Sequence, residues 1–208
     1  MRVKSTVVLA SGNPGKLREM AALLDPIGLE ILPQSRFNVP DALETGTSFA
    51  ENALIKARNA ARHTGMHALA DDSGIEVDAL DGAPGVYSAR FAGAGATDEQ
   101  NLELLIDQVI ATGVARPTAR FQCVIAYLHG PEDAAPIIAR GTWHGYIVTP
   151  PRGGNGFGYD PVFFVPDHGC TSAQLAPQVK NRISHRGQAM QALLEQLLAT
   201  TTNRENSE

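Results

Sequence analysis

The sequence predicts a mixed α/β fold with one central sheet and a cleft. Helix and strand patterns alternate through the first half of the chain, and strand patterns cluster in the second half. No internal repeat and no long linker divides the chain. With 208 residues, of which 43% are hydrophobic, the chain is long enough to bury a core, as one domain or as two lobes that share a cleft.

The first predicted elements are a strand, a tight turn and a helix. Residues 7–10 form a short apolar run, Ser11-Gly12-Asn13-Pro14-Gly15-Lys16 forms the turn, and residues 17–24 carry apolar side chains at helical spacing. Residues 29–33 predict a second strand, and a polar loop follows as far as Gly46.

The middle of the chain adds two capped helices. Ser48 with Glu51, and Thr97 with Gln100, have the spacing of capping boxes. In chain order, this part predicts a helix over 48–64, a strand over 67–70 that ends at Asp71-Asp72-Ser73-Gly74, a strand over 75–80, a turn over 81–85 and a helix from residue 97.

The rest of the chain predicts three strands and a final helix. A turn at residues 130–133 joins the two longer strands as a hairpin. The predicted elements are strands over 121–128, 137–148 and 162–165, a glycine-rich loop over 152–158, a helix over 188–198 and a disordered polar tail over 200–208. Residues 1–199 are therefore predicted to form a single domain of two lobes.

Charge and cysteine content exclude several classes of protein. The net charge of −5 argues against a surface that grips a nucleic-acid backbone, although one pocket with a few basic residues can still bind a nucleotide. The two cysteines, Cys123 and Cys170, have neither metal-site spacing nor a disulfide framework, which favours a reducing compartment. No segment has the length of a membrane span or a signal sequence. We therefore expect a cytoplasmic protein that binds neither nucleic acid nor membrane.

The most informative stretch is the turn from Ser11 to Lys16. Backbone amides at a helix start carry the positive end of the helix dipole, and Ser11, Asn13 and Lys16 add donors, so the turn suits a phosphate. It differs from the common P-loop, because the four-residue gap between glycines is absent and Leu17 follows the lysine. An ordinary packing turn before a helix is the alternative.

A second group of candidate residues is acidic. Asp71 and Asp72 follow a predicted strand, and Glu44 lies in the polar loop before the 48–64 helix. Magnesium commonly takes one or two carboxylates beside substrate phosphates and water, and a carboxylate near the metal can deprotonate an attacking water. The alternative is that one aspartate caps a turn and that Glu44 is solvated.

A third candidate site is the glycine-rich loop that contains Phe157. Glycine lets a backbone approach a flat ligand closely, and stacking of a base on an aromatic ring contributes about 1–3 kcal/mol whatever the base. The alternative is that Phe157 and Tyr159 pack into the core, which suits Tyr159 better than Phe157.

Lys180 and the run Ser184-His185-Arg186 supply hydrogen-bond donors near the start of the last helix. Such donors suit an oxo group or a phosphate, while Ser184 is also a typical N-cap. Capping and surface charge are the alternative role of this segment.

Several short motifs occur in one order along the chain. They are Ser-Gly-Asn-x-Gly-Lys, Glu-Thr-Gly-x-Ser-Phe with Glu-Asn-Ala (Glu44 to Ala53), Ala-Asp-Asp-Ser-Gly, Gly-x-Tyr-Ser-Ala-Arg (Gly85 to Arg90), Gly-Phe-Gly-Tyr-Asp-Pro and Ile-Ser-His-Arg-Gly. Together they resemble the inosine triphosphate pyrophosphatase family, the XTP/dITP diphosphatases that clear non-standard purine nucleotides. The resemblance extends from about residue 7 to residue 198.

The resemblance implies a magnesium-dependent hydrolysis of XTP, ITP and dITP between the α and β phosphates, which yields a nucleoside monophosphate and pyrophosphate. It also implies a long mixed sheet, two α/β lobes around a substrate cleft, and a homodimer. Asp72 is implied as the metal-linked general base and Glu44 as a second metal carboxylate. Implied substrate contacts are Ser11, Gly12, Asn13, Pro14, Gly15 and Lys16 for the phosphates, Phe157, Gly158, Tyr159 and Asp160 for the base, and Ser73, Lys180, His185 and Arg186.

One segment departs from the family pattern. Gln178-Val179 stand before Lys180, where the family often has acidic residues, which puts in doubt how the Lys180 loop is held.

The donor set also suggests how purines are distinguished. Hypoxanthine and xanthine carry an oxygen at C6, where adenine carries an amino group. A donor from Lys180, His185 or Arg186 would pair with the oxygen and would oppose the amino group without a partner. Guanine shares the C6 oxygen, and the sequence does not explain its rejection.

Two alternatives stay open at this point. A pyrophosphatase for pyrimidine or modified nucleotides would share the fold, and only a panel of substrates separates it. A non-catalytic module that senses nucleotides predicts loss of the acidic set, yet Glu44, Asp71 and Asp72 are all present.

Overall fold

Helices and strands alternate in the first half of the chain, and the second half contains four successive strands followed by two helices. The computed structural model describes residues 5–24 and 29–205. In chain order, the elements of the described residues are β1 (Ser5–Leu9), α1 (Pro14–Leu24), β2 (Leu29–Pro33), α2 (Phe49–Thr64), β3 (His67–Val77), α3 (Asp98–Ala111), β4 (Thr118–Leu128), β5 (Ile137–Ile147), β6 (Phe163–Val165), β7 (Cys170–Thr171), α4 (Pro177–Ile183) and α5 (His185–Glu205).

The strands form one mixed sheet in the order β2-β1-β3-β4-β5-β6-β7. β1 is parallel to both neighbours, so that Val7 lies opposite Ile31 of β2 and His67 of β3. β6 is antiparallel to β5 and β7. Parallel neighbours need a crossover connection, and α1 supplies it between β1 and β2. The predicted mixed α/β class is confirmed.

The chain divides into two compact units. The first unit contains the described residues of Met1–Asp72, Cys123–Gly141 and Arg186–Glu208, and the second contains Ser73–Gln122 and Thr142–His185. The strands β3, β4 and β5 each have residues in both units.

Each unit has its own hydrophobic core. In the first unit, Leu9 of β1 packs with Met20 of α1 and Leu193 of α5, and all three are fully buried. The second core is rich in aromatic rings, with the Phe121 and Phe163 centroids 4.7 Å apart. Full burial of one such large apolar side chain contributes about 1.5–3 kcal/mol. These cores hold the polar groups described below in fixed positions.

Both predicted capping boxes are confirmed. Ser48 Oγ accepts a hydrogen bond from the Glu51 amide at 3.3 Å, and Glu51 Oε2 accepts one from the Ser48 amide at 3.1 Å. Thr97 and Gln100 make the same exchange at the start of α3, at 3.2 and 2.8 Å. The caps satisfy amides that have no partner within the helix and set the residue at which each helix begins.

The prediction of two strands on either side of Asp71-Asp72 is wrong. β3 is continuous from His67 to Val77, so both aspartates lie inside a strand, where they are 1% and 7% exposed. Carboxylates interrupt an apolar strand pattern, and their burial is unfavourable unless they are paired. The partners that permit it come from distant parts of the chain.

The C-terminal segments also differ from the prediction. α4 and β7 were not predicted, and α4 is a short helix that begins at Pro177, a residue suited to a first helical position. α5 begins at His185 and continues to Glu205, into the segment predicted as a disordered tail from residue 200. A helix that has already formed adds residues at little cost. Residues 206–208 lie outside the described residues.

No helix within residues 5–24 and 29–205 combines the length and the apolar character needed to cross a membrane.

Candidate active site

The turn after β1 is ordered by its own side chains. Asn13 Oδ1 accepts hydrogen bonds from the backbone amides of Gly15 and Lys16 at 2.8 and 3.1 Å, and the Asn13 amide donates to Ser11 Oγ at 3.2 Å. Gly12 is exposed, and a Cβ there would meet nothing within 4 Å. Pro14 is the first residue of α1. The amides at this helix start thus bind an acceptor oxygen, as they would bind a phosphate oxygen.

Lys16 reaches the buried aspartate of β3. Its Nζ lies 3.0 Å from Asp71 Oδ2, and the Lys16 and Asp71 side chains are 16% and 0% exposed. Because Lys16 is in the first turn of α1, this ion pair holds the ammonium beside the helix start and out of bulk solvent.

Arg186 binds the same aspartate from the first turn of α5. Its Nε and Nη2 each donate to Asp71 Oδ2 at 3.4 Å, and its Nη1 pairs with Glu19 Oε2 of α1. Burial raises the pKa of Asp71, but the charges of Lys16, Arg186 and Lys56 outweigh burial and hold that pKa below its ordinary value. Arg186 was expected in a nucleoside pocket, and the structure places its guanidinium in ion pairs of the first unit.

The predicted metal carboxylates share one lysine that the sequence analysis did not single out. Lys56 Nζ lies 3.0 Å from Glu44 Oε1 and 3.0 Å from Asp72 Oδ1. Asn52 Nδ2 donates to Asp72 Oδ2 at 3.2 Å, while Asn52 Oδ1 accepts from the Gly46 amide at 2.9 Å. Asn52 and Lys56 stand four residues apart on α2, so they share a helix face, and this spacing was the available signal.

The electrostatics of Asp72 differ from those of its neighbour Asp71. Burial raises the pKa of Asp72 above its ordinary value, and the negative charge of Glu44 raises it further. The positive charges of Lys56 and Lys16 lower the pKa but do not fully offset this rise. The pKa of Lys56 is raised, because the charges of Asp72, Asp71 and Glu44 outweigh its own burial. Asp72 therefore has a greater affinity for a proton than an ordinary carboxylate.

The donor set of this region fits a divalent metal ion that binds together with a phosphate. Glu44 and Asp72 both contact Lys56 Nζ, so a cation of the protein already lies between the two carboxylates. The described residues contain no group of three His, Cys, Asp or Glu side chains that could hold a metal ion. Magnesium commonly takes one or two carboxylates and completes its octahedron with substrate phosphates and water. Glu44 and Asp72 supply that number.

In the second unit, Asp160 organises the glycine-rich loop. Asp160 Oδ2 accepts from Lys180 Nζ at 2.6 Å and from the Phe157 amide at 2.9 Å, and Ser172 Oγ donates to Asp160 Oδ1. Asp160 and Lys180 are 2% and 5% exposed. Asp160 therefore holds Lys180 and the loop backbone, and its contact with substrate stays a prediction. Lys180 is thus held by Asp160, although Gln178-Val179 precede it.

Gly156 permits this arrangement. Its φ is +79°, and a Cβ there would lie 2.0 Å from Asp160 Oδ2 and 3.1 Å from Lys180 Nζ. The Lys180 ammonium also lies 5.1 Å from the centroid of the half-buried Phe157 ring. The amide of Gly158 donates to Asp98 Oδ2 at 3.0 Å. Phe157 and Lys180 are therefore brought together, as a stacking ring beside a donor.

Two other predicted site residues belong to the core of the second unit. Tyr159 is 6% exposed, and its hydroxyl donates to the Ser88 carbonyl at 2.7 Å. The His185 imidazole is stacked on Phe121, with centroids 4.7 Å apart and planes 12° apart. The core role considered for Tyr159 is thus observed, and a packing role is observed for His185. Ser73 is half-buried in β3.

Comparison with known proteins shows to which family the chain is similar. A dITP/XTP pyrophosphatase of Vibrio parahaemolyticus is 54% identical over 195 residues, which cover 94% of this chain and 98% of that protein. The solved structure of a HAM1 protein from Coxiella burnetii has a TM-score of 0.85 at 50% identity and covers 96% of this chain and 99% of its own. The Staphylococcus aureus Ham1 protein has a TM-score of 0.81 at 39% identity, with 95% and 100% covered. The model of the Ham1 family matches residues 7–196. The chain belongs to the Ham1 family.

Proposed function

We propose that this protein hydrolyses the non-standard purine nucleoside triphosphates XTP, ITP and dITP to the monophosphate and pyrophosphate. The observation that carries the proposal is that the carboxylates of Glu44 and Asp72 both pair with Lys56. They lie in the unit that also contains the Ser11–Lys16 turn. Two carboxylates, a basic residue and a helix N-terminus suit phosphoryl chemistry. The name of the Vibrio parahaemolyticus relative, a dITP/XTP pyrophosphatase, supports the substrate class.

The phosphate chain is assigned to the turn from Ser11 to Lys16. The phosphate oxygens accept hydrogen bonds from the Gly15 and Lys16 amides, which in the structure donate to Asn13 Oδ1, and the Lys16 side chain adds a positive charge. A magnesium ion held by Glu44 and Asp72 would neutralise phosphate charge when it is bound. These contacts carry no information about the base.

Asp72 is assigned as the general base. Its carboxylate accepts the proton of the water that attacks the α-phosphate, as the bond to the departing pyrophosphate breaks. Asn52 and Lys56 hold the two oxygens of this carboxylate. Lys56 therefore orients the base and offsets the negative charge that Glu44 and Asp72 bring together.

The base is assigned to Phe157 and Lys180. Phe157 stacks on any purine, and Lys180 donates to the oxygen at C6 of hypoxanthine or xanthine. Asp160 holds Lys180 at 2.6 Å, which fixes the direction of the donor. By resemblance to the family, Ser73, Gly158, Tyr159, Asp160, His185 and Arg186 complete the proposed substrate contacts.

The wider properties of the protein are also proposals. Residues 1–199 act as one catalytic domain, the metal is Mg²⁺, and the active form is a homodimer, all by resemblance to the family. A cytoplasmic location is supported by the two cysteines, Cys123 and Cys170, which are both free.

Pyrophosphate release from a panel of nucleoside triphosphates tests the function. With magnesium, we expect kcat/KM for XTP, ITP and dITP to exceed that for ATP by about 100-fold or more, since a donor aimed at C6 rejects an amino group. Chelation of the metal by EDTA should reduce release to background, and added magnesium should restore it. Release of orthophosphate in place of pyrophosphate, or a preference for pyrimidines, would overturn the assignment.

Replacing Lys180 with methionine should weaken base selection. We expect the ITP/ATP ratio of kcat/KM to fall about tenfold for each 1.4 kcal/mol of lost discrimination, because ATP gains nothing from a donor at C6. Arg182→Met is the matched control, since Arg182 is an exposed cation on the same helix.

The variant Lys180→Met also leaves Asp160 as a buried charge without its ammonium, which destabilises by about 3–5 kcal/mol in comparable pairs. The pair of changes Lys180→Met and Asp160→Asn removes both charges and should show the same fall in the ITP/ATP ratio. His185→Ala is a poorer test, because it removes a ring that packs on Phe121. Equal losses for ITP and ATP would place Lys180 at the phosphate, the ribose or the loop backbone.

A further inference from the structure

Four charged side chains form a network in the first unit, and two of them, Asp71 and Arg186, are buried. The four are Lys16 and Glu19 of α1, Asp71 of β3 and Arg186 of α5, and we call them the charge network. Asp71 Oδ2 lies 3.0 Å from Lys16 Nζ and accepts hydrogen bonds from two nitrogens of Arg186 at 3.4 Å. The Nη1 of Arg186 pairs with Glu19. The network contains two charges of each sign, so it is neutral.

The proposed chemistry does not account for Asp71. Successive residues of a strand point to opposite faces, so Asp71 does not share the face on which Asp72 meets Lys56. The Asp71 side chain is fully buried and the Arg186 side chain is 2% exposed. Buried charges of this kind are unfavourable unless they are paired, and apolar residues of similar size often replace them without loss of stability. Stability alone is therefore a weak reason for this carboxylate.

The ion pair with Asp71 determines where Lys16 points. A lysine carries its ammonium on a flexible four-carbon chain, and an unanchored lysine has many rotamers to lose when a ligand binds. Asp71 holds the ammonium beside the start of α1 before a phosphate arrives. A group that is held in place in advance binds its ligand more tightly and reacts faster, because its conformational entropy has been lost before the ligand binds.

We propose that Asp71 is a positioning residue that holds Lys16 for the substrate phosphates, and that the Arg186–Glu19 pair holds Asp71 in place. This inference rests on the proposed function, since it assigns Lys16 to the phosphate chain. It separates the two neighbouring aspartates by role. Asp72 contacts the reacting groups, and Asp71 acts through Lys16.

A double-mutant cycle between Asp71→Asn and Lys16→Met tests this role. In the wild-type background, Asp71→Asn should lower kcat/KM for ITP at least tenfold. In the Lys16→Met background, the same change should lower it less than twofold, because the residue through which Asp71 acts is absent. Asp107→Asn, an exposed aspartate of α3, serves as the control and should change neither background. The folded fraction of each variant is measured by circular dichroism, and kcat/KM is expressed per folded enzyme.

A merely structural Asp71 gives a different pattern. The loss would then be the same factor in both backgrounds, or would disappear once kcat/KM is corrected for folded enzyme, and either result overturns the proposal. If Asp71→Asn does not fold, the double change Asp71→Asn with Arg186→Gln, which removes one charge of each sign, replaces it in the same cycle. The result that supports the proposal and the result that overturns it stay the same.

The failure of this proposal is distinguishable from the failure of the proposed function. An inactive wild-type protein would refute the proposed hydrolysis. In that case, calorimetry measures the affinity of the wild-type protein, the two single variants and the double variant for tripolyphosphate. Non-additive losses in that affinity support the positioning of Lys16 by Asp71. Additive losses in an active or an inactive enzyme overturn it.

Discussion

Asp72→Asn is expected to reduce kcat for ITP to less than a tenth of the wild-type value, and by about a thousandfold if proton transfer is lost entirely. Asparagine keeps the shape of the side chain but loses the charge that holds a metal and accepts a proton. A tenfold loss corresponds to about 1.4 kcal/mol of barrier, so a variant that retains more than a tenth of kcat would remove Asp72 from this role.

The fold should survive this change. The pKa of Asp72 is raised because burial outweighs its attractions, so its charged form is less stable in the folded protein than in the unfolded chain near neutral pH. Asp72→Asn should therefore leave Tm unchanged or raise it.

The neighbouring residue Asp71 has a lowered pKa in the folded protein. Its charge therefore contributes stability that is fully present above the pKa of the unfolded chain and is lost as the pH falls from that value towards the folded pKa. Asp71→Asn should lower Tm at neutral pH, and Asp167→Asn at an exposed position should leave it unchanged.

Lys16→Met is expected to lower kcat/KM for every triphosphate by the same factor, on the order of 100-fold, or about 2.7 kcal/mol. Phosphates carry no information about the base, so ITP and ATP should lose equally and their ratio should stay constant. Arg18→Met is the matched control, because Arg18 is an exposed cation of the same helix. Steady-state kinetics with both nucleotides measure the two factors.

A change confined to one nucleotide would show that Lys16 does not serve the phosphate chain. The fold should tolerate the substitution, because Asp71 keeps the two contacts from Arg186 when Lys16 is removed. A Tm measurement on Lys16→Met checks this expectation independently of activity.

Local patterns were sufficient for most of the fold. The β2 strand and both capping boxes lie where apolar periodicity and cap residues predicted them, because these signals depend on neighbours within a few residues. β3 was missed as one strand because Asp71 and Asp72 interrupt its apolar pattern. The cations that allow this interruption come from α1, α2 and α5, and no local pattern reveals them.

The candidate site divides in the same way. The family and the acidic and glycine-rich motifs are recognisable from the sequence, since each is a pattern of residue type and spacing along the chain. Only the folded chain shows that Lys56 pairs with both Glu44 and Asp72, that Asp160 binds Lys180 and that Arg186 binds Asp71. These pairs are invisible in the sequence, because a buried charge must find an opposite charge in space, and that partner can come from any part of the chain.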